Sequence, residues 1–297
     1  MGHCAEILAD SPFPFPALVM TKSSLALRDL PLWEKVKDRA GFILLVSISS
    51  LDESIRRVME PGASSFQARL DMLKAFKEAG CIVGILAMPL LPGISDDEAS
   101  IRRLYTACVD IGTDFVLPGG LTLRPGRQKD FFLKSLGSYR PDLLEKTKEL
   151  YSEEKVSGSP RKEVLGALFA RTAYISKEYA MPYLLPFEKF ARILPKHDSI
   201  HLLFRDMGEL YRERGIDTRP LSKSADSFDS WLIGLRRVFR RKRSLPQDWL
   251  ELRFDEAMED GELDQVIGNE RLAHFTKAIL QKKILFDYST LKITQGC

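Results

Sequence analysis

The segment from Val46 to Gly93 constrains this chain most. VSISSLDESIRRVMEPGASSFQARLDMLKAFKEAG runs into CIVGILAMPLLPG, so an apolar strand leads through a helix into a second apolar strand. Two strands joined by a helical crossover lie parallel. Both strands are apolar without alternation, as expected of strands covered on both faces. In a barrel of parallel strands the chemistry gathers at the carboxyl ends of the strands and the loops that follow, so this unit predicts both a fold and an address for a site.

The pattern repeats. Ala17 to Thr21, Phe42 to Ile48, Ile82 to Met88 and Phe115 to Leu117 are short apolar runs separated by helical segments. A helix is predicted from Ser65 to Ala79, with Ser64 or Ser65 as its cap, Leu70, Leu73 and Phe76 on its inner face, and Gly80 at its end. Another starts at Ser95 or Asp96, carries Ile101, Leu104 and Cys108 on one side, and stops near Gly112.

After Gly120 strand signals are absent. Helices are expected at roughly 128–136, 140–154, 162–178, 187–194 and 199–214. The polar stretch Gly215 to Asp226 contains Pro220 and reads as a linker. The expected organisation is an α/β partial barrel of about four parallel strands over 1–136, a helical extension packed on it over 137–214, and a linker with a helical, basic segment over 215–297. At 297 residues, 44% hydrophobic and 29% charged, the composition is that of a globular protein. No apolar run approaches the roughly 20 residues needed to cross a bilayer, and no secretory lead is evident, so a cytoplasmic protein without a membrane partner is expected.

Several side chains fall at strand ends. Ile43, Leu45, Ser47 and Ser49 share one face of the second strand, which turns from aliphatic to hydroxyl toward its carboxyl end. Serines also end strands simply because they suit turns. Lys22 follows the first strand, where an ammonium can reach a carboxylate or phosphate or snorkel at the surface. Arg69 lies near the start of the helix after Glu60-Pro61-Gly62, placed either to clamp an anion or to pair with Glu60 and brace the loop. Pro89, Pro92 and Gly93 shape the loop after the third strand, and Pro118-Gly119-Gly120 the one after the fourth. Arg124, Arg127 and Lys129 add a cationic cluster beyond it, suited to an anion or to a solvated helix start.

No catalytic residue is assigned, for the chain has no nucleophile elbow, P-loop or dinucleotide fingerprint. His197 and His201 lack the Glu of a zinc helix, and only Asp198 and Asp206 keep a metal reading open there. Cys4, Cys81, Cys108 and Cys297 are scattered, with Cys81 and Cys108 expected as small buried hydrophobes. Net charge is only +3, yet the run from Arg236 to Arg243 (RRVFRRKR) is strongly basic; it either contacts nucleic acid or forms a solvated helix face.

Taken together, TKSS at 21–24, VSISSLDE at 46–53, MEPGASSFQARL at 59–70, AG at 79–80, GILAMPLLPGISD at 84–96 and GGLTLRPGRQ at 119–128 resemble the radical S-adenosylmethionine proteins related to spore photoproduct lyase. The resemblance covers about residues 4–136. It implies a partial (βα)6 barrel that holds a [4Fe-4S] cluster and S-adenosylmethionine at its carboxyl edge, where reductive cleavage of the sulfonium yields a radical that abstracts hydrogen. It also implies that Lys22 and Ser47, with Ser49 beside it, contact S-adenosylmethionine, that Arg69 serves the methionyl carboxylate, and that the loop from Pro89 to Gly93 lies near the adenosine. The family binds its cluster through C-x-x-x-C-x-x-C, which this chain does not contain. The resemblance therefore leads to the expectation that the N-terminal, cluster-binding part of the domain is missing, that the chain is inactive alone, and that a partner supplies the missing strands. A non-catalytic adaptor on a remnant barrel is the alternative.

Overall fold

The computed structural model describes residues 2–287 and 292–296. It divides into two compact units, Met1–Leu184 and Leu185–Cys297. The first contains strands β1 (Ala17–Thr21), β2 (Phe42–Ser47), β3 (Ile82–Leu90) and β4 (Phe115–Gly120), and helices α1 (Gly2–Asp10), α2 (Leu30–Ala40), α3 (Glu53–Met59), α4 (Phe66–Glu78), α5 (Glu98–Ile111), α6 (Arg127–Tyr139), α7 (Leu144–Leu150) and α8 (Lys162–Glu178). The second contains α9 (Phe187–Phe190), α10 (Lys196–Glu213), α11 (Arg219–Arg241), α12 (Trp249–Glu259), α13 (Glu262–Ile267), α14 (Glu270–Leu280), and the strands β5 (Ile284–Asp287) and β6 (Lys292–Gln295).

The α/β class and the four parallel strands expected from the sequence are those of the structure, in the order β1-β2-β3-β4. Alternation along each strand builds two apolar layers. Phe42, Leu44, Val46, Val83, Ile85 and Val116 face the helices and form one core with Trp33 and Val36 of α2, Met72, Leu73 and Phe76 of α4, and Leu104 of α5. Trp33 stacks on Phe42 at 4.9 Å and Phe42 on Phe76 at 5.8 Å, tying the first two crossover helices to β2. The sheet's other face carries the register-matched row Leu18, Ile43 and Ile82, then Met20, Leu45, Gly84 and Phe115. Ile43, Leu45 and Phe115 are buried, whereas Leu18 and Met20 on the edge strand β1 are 44% and 65% exposed.

The helix ends follow the local chemistry. Ser65 caps α4 by accepting the Ala68 N–H, and α5 is capped by Asp97 rather than by Ser95 or Asp96. Gly112 ends α5 in the left-handed conformation at φ 76°. Residues 140–154 do not form one helix, because Pro141 opens a separate 3-10 turn before α7. The expected helix over 187–194 is the single turn α9.

Two expectations for the second half change. Strands do occur after Gly120: β5 and β6 pair antiparallel, Ile284 opposite Gln295 and Phe286 opposite Ile293. Their alternation is visible in burial, with Phe286 inside and Leu285 outside, but four-residue strands in a charged segment offer little periodicity. The stretch read as a linker is mostly the beginning of α11. Pro220 stands in the first turn of that helix, where its missing N–H costs nothing. The compact units divide at Leu184, so α7 and α8 belong with the sheet and α10 with the second unit. No helix among the described residues is long and apolar enough to cross a membrane.

Gly84 is required by close packing: a Cβ there would lie 2.5 Å from the Phe115 ring and 2.7 Å from Leu45 Cδ2. Gly84→Ala should destabilise the first unit by about 1–3 kcal/mol. Gly166→Ala in α8, where a Cβ meets nothing within 4 Å, should be neutral or stabilise by up to about 1 kcal/mol. Urea unfolding followed by far-ultraviolet circular dichroism distinguishes the pair.

Candidate functional site

Beyond the carboxyl ends of β1 and β2, three segments distant in sequence are knitted into one patch. Ser64 donates its N–H to the Lys22 carbonyl at 3.2 Å. Its hydroxyl accepts the Ser24 N–H at 2.9 Å and lies 3.0 Å from the Ser24 hydroxyl. Lys22 Nζ donates to Glu60 Oε1. Arg69 donates from Nη2 to Glu60 Oε2 at 2.9 Å, from Nη1 to the Ser47 carbonyl at 2.7 Å and from Nε to the Ser64 carbonyl at 2.9 Å. Its guanidinium also lies 5.0 Å from the centre of the Phe66 ring.

Arg69 and Lys22 therefore differ in kind. The Arg69 side chain is 0% exposed and braces the loop through Glu60, whereas Lys22 is 43% exposed and is the cation that faces solvent. Ser47 joins the network through its backbone carbonyl. Ser49 is buried just past the end of β2, where Ser50 accepts the Asp52 N–H at 3.0 Å to turn the chain into α3.

Glu60 is the hub that sequence reasoning named only as a partner for Arg69. Burial raises the cost of its charge, but hydrogen bonds from Lys22 and Arg69 outweigh that cost and hold the carboxyl below its ordinary value. The available signal was an acid directly before Pro61-Gly62, in a segment that must turn back over two strand ends.

Pro89 and Gly93 lie in a separate part of the rim. Pro89 follows a cis peptide bond near the end of β3, and the Gly93 N–H donates to Asp96 Oδ1 at 2.7 Å. Gly93 has φ 70°, and a Cβ there would meet Leu143 Cδ2 at 3.0 Å, so glycine is needed at this turn. Beyond β4 an apolar cavity of about 390 Å³ is lined by Gly119, Gly120, Leu165, Leu168 and Phe169, with Lys162 beside it. At roughly 4.8 Å per strand, β1 and β4 are about 14 Å apart. The rim thus offers an exposed ammonium above one edge strand and an apolar recess above the other.

Of the cationic cluster after β4, Lys129 is taken up by Glu154 at 3.3 Å and the Tyr151 carbonyl at 3.4 Å, while Arg124 and Arg127 are exposed. His201 lies 2.7 Å from Asp229, and Asp198 pairs with Arg236. The carboxyl of buried Asp206 is pushed up to about 7 by burial, against the opposing hydrogen bond from the Phe187 N–H. No group of three or more potential metal-ligating side chains occurs among the described residues.

The described cysteines do not fit an iron-sulfur cluster; Cys297 lies outside the described residues. Cys4 is exposed on α1, and Cys81 and Cys108 are buried in the helix-facing core. Burial pushes the Cys81 thiol up to about 11 and the Cys108 thiol to about 12, opposite to what a thiolate ligand requires.

The fold and rim define an α/β protein with a parallel sheet and polar groups at the carboxyl ends of its strands. No family model matches the chain. It is 30% identical over 136 residues to uncharacterized proteins of Mycobacterium tuberculosis and Mycobacterium bovis, a stretch that covers 46% of this chain and 40% of theirs. It is 35% identical over 102 residues to an uncharacterized protein of Acidianus two-tailed virus, covering 33% of each. The matched stretch is well under half the length of these relatives. Among solved structures it is similar to a spore photoproduct lyase double mutant with bound AdoMet and dinucleoside spore photoproduct, with 17% identity and a TM-score of 0.44 over 60% of this chain and 52% of that one. A second spore photoproduct lyase complex gives 16% identity and a TM-score of 0.42.

The Glu60 network makes stability depend on pH with a definite sign. The folded value lies below the ordinary 4.5, so the contribution is complete above about pH 4.5 and is lost as pH falls through the folded value. Glu60→Gln should cost about 2–3 kcal/mol at pH 7, because buried Arg69 keeps two carbonyl acceptors and loses its counter-charge. It should also flatten the decline in stability of the unmodified chain between about pH 5 and 3. Urea midpoints measured across that range test both.

Proposed function

We propose that the rim of this sheet binds S-adenosylmethionine and that this chain, acting alone, does not cleave it. The reading rests on one observation above others: the TKSS, VSISSLDE and MEPGASSFQARL blocks, which carry the family resemblance, converge on a single hydrogen-bonded patch at the strand ends. Lys22 would meet the ligand's carboxylate as a point charge. Arg69 would act by holding Glu60 and the Ser47 carbonyl in place. Ser47 and Ser49 lie at the end of β2 beside this patch, and Leu90, within the Pro89 to Gly93 segment, pairs with Gly120 of the apolar recess, which suits a flat heteroaromatic ring.

A [4Fe-4S] cluster does not enter this proposal as a resident group, because the described thiols are dispersed and two are buried in neutral form. A substrate for hydrogen abstraction is therefore not assigned.

Isothermal titration with S-adenosylmethionine should show one site per chain. Lys22→Ala should weaken it roughly 10- to 100-fold, the loss expected for a charged hydrogen bond worth about 1.5–3 kcal/mol. Absence of binding by the folded, unmodified chain refutes the proposal. Anaerobic incubation with iron and sulfide should leave the protein without stoichiometric cluster absorbance; a full cluster would overturn the second half of the reading while leaving the first intact.

A further inference from the structure

Helix α11 has two faces with different uses. Leu221, Ser224, Phe228 and Leu232 are buried, and Phe228 meets Phe204 at 6.3 Å and Phe254 at 6.5 Å in near-perpendicular ring contacts. The opposite face is exposed. Its first half presents Ser222, Lys223, Ser227 and Ser230, with Asp226 among them and Arg219 paired with Asp217 at 2.8 Å. Its last turns continue into Arg237, Arg240, Arg241, Lys242 and Arg243, all exposed and without an acidic partner among the described residues. Arg236, by contrast, is satisfied by Asp198.

The basic end is held in a defined shape. Phe239 stacks parallel on Trp249 at 6.2 Å with an interplanar angle of 1°, and the Leu245 N–H donates to the Lys242 carbonyl at 3.1 Å. These contacts hold the turn from α11 into α12 around the cations. The 23-residue helix spans about 34 Å, close to one turn of duplex nucleic acid.

This arrangement discriminates among anionic partners. Cations strung along an open surface match a polymer of charges better than one small anion, which needs an enclosing site. A helix that lies in a membrane interface buries an apolar face in lipid, but the apolar face of α11 is already spent on the second unit's core. Of large apolar side chains, its exposed face offers only Ile233 and Val238. Serine hydroxyls and arginines together are donors suited to phosphodiester oxygens.

We propose that the solvent face of α11, with Lys242 and Arg243, is a docking surface for a nucleic-acid phosphodiester backbone, engaged without regard to base sequence. It is separate from the rim reading and does not depend on it.

The test is fluorescence anisotropy of labelled single-stranded and duplex oligonucleotides of mixed sequence with the full chain, titrated over a range of salt concentrations. Binding should fall linearly in log K against log salt. The triple variant Arg237→Gln, Arg240→Gln, Arg241→Gln should weaken binding roughly tenfold or more at low salt and reduce the slope by about 2–3, at 0.7–0.9 per lost phosphate contact. Its thermal unfolding should match the unmodified chain, since these side chains are exposed; a folded variant that binds unchanged overturns the proposal. So does the absence of salt-dependent binding by the unmodified chain. Preferential binding to phosphatidylserine vesicles would assign the face to a membrane, and stronger competition by polyglutamate than by unlabelled nucleic acid would assign it to an acidic protein; either result refutes the nucleic-acid reading.

Discussion

The rim of the sheet depends on a guanidinium that reaches no water. Arg69 sits in the first turn of α4, where the exposed N–H groups of the helix terminus already make the surroundings positive. A cation there needs compensation, and it receives two backbone carbonyls and a carboxylate. The acceptors come from two segments: Ser47 ends β2, and Glu60 and Ser64 stand at either end of the loop between α3 and α4. Satisfying one buried charge therefore fixes that loop against the end of β2. Glu60 passes the constraint on to Lys22 and hence to the end of β1. The exposed ammonium is positioned by the buried guanidinium through a shared carboxylate.

This dependence explains which parts of the molecule were legible in the sequence. Runs such as FILLV and IVGIL declare strands covered on both faces, and Ser65, Gly80 and Gly112 mark helix ends by a local chemistry that needs no tertiary information. Arg69 is different, because an arginine one turn into a helix has the same sequence context whether it points to solvent or inward. What decides the matter is the return of Glu60 across the strand ends, and that is a property of the folded loop. Pro220 misled for the opposite reason: a proline in a polar stretch breaks a helix interior but opens a helix equally well. The β5 and β6 pair escaped notice because each strand is too short to establish a period.

Cys81 and Cys108 are separated from the rim cations by the architecture as well as by chemistry. Cys81 directly precedes β3, at the amino end of the sheet, and Cys108 points from α5 into the helix-facing core. Parallel strands place every loop after a strand at one edge and every residue before a strand at the other. A thiol at Cys81 is thus a strand length away from Lys22, and its neutral form is stabilised where it sits. Substitution at the rim would not bring these sulfurs to it; moving them requires changing the topology. The hydrogen-bonded patch at the strand ends and the burial of these thiols are therefore independent properties of one sheet.

The second unit shows the same economy on a single helix. The spacing that places Leu221, Phe228 and Leu232 in the core necessarily turns Arg237, Arg240 and Arg241 outward, because a 3.6-residue period cannot bury both sets. The stacked Phe239 and Trp249 then hold the last turn against α12, so the cations project from a braced helix end. Since the residues that stabilise α11 and those that face solvent do not overlap, its surface can change charge without a change in core packing. The rim is built differently: Glu60 is both a support for Arg69 and the partner of Lys22, so any substitution there acts on stability and on the exposed charge together.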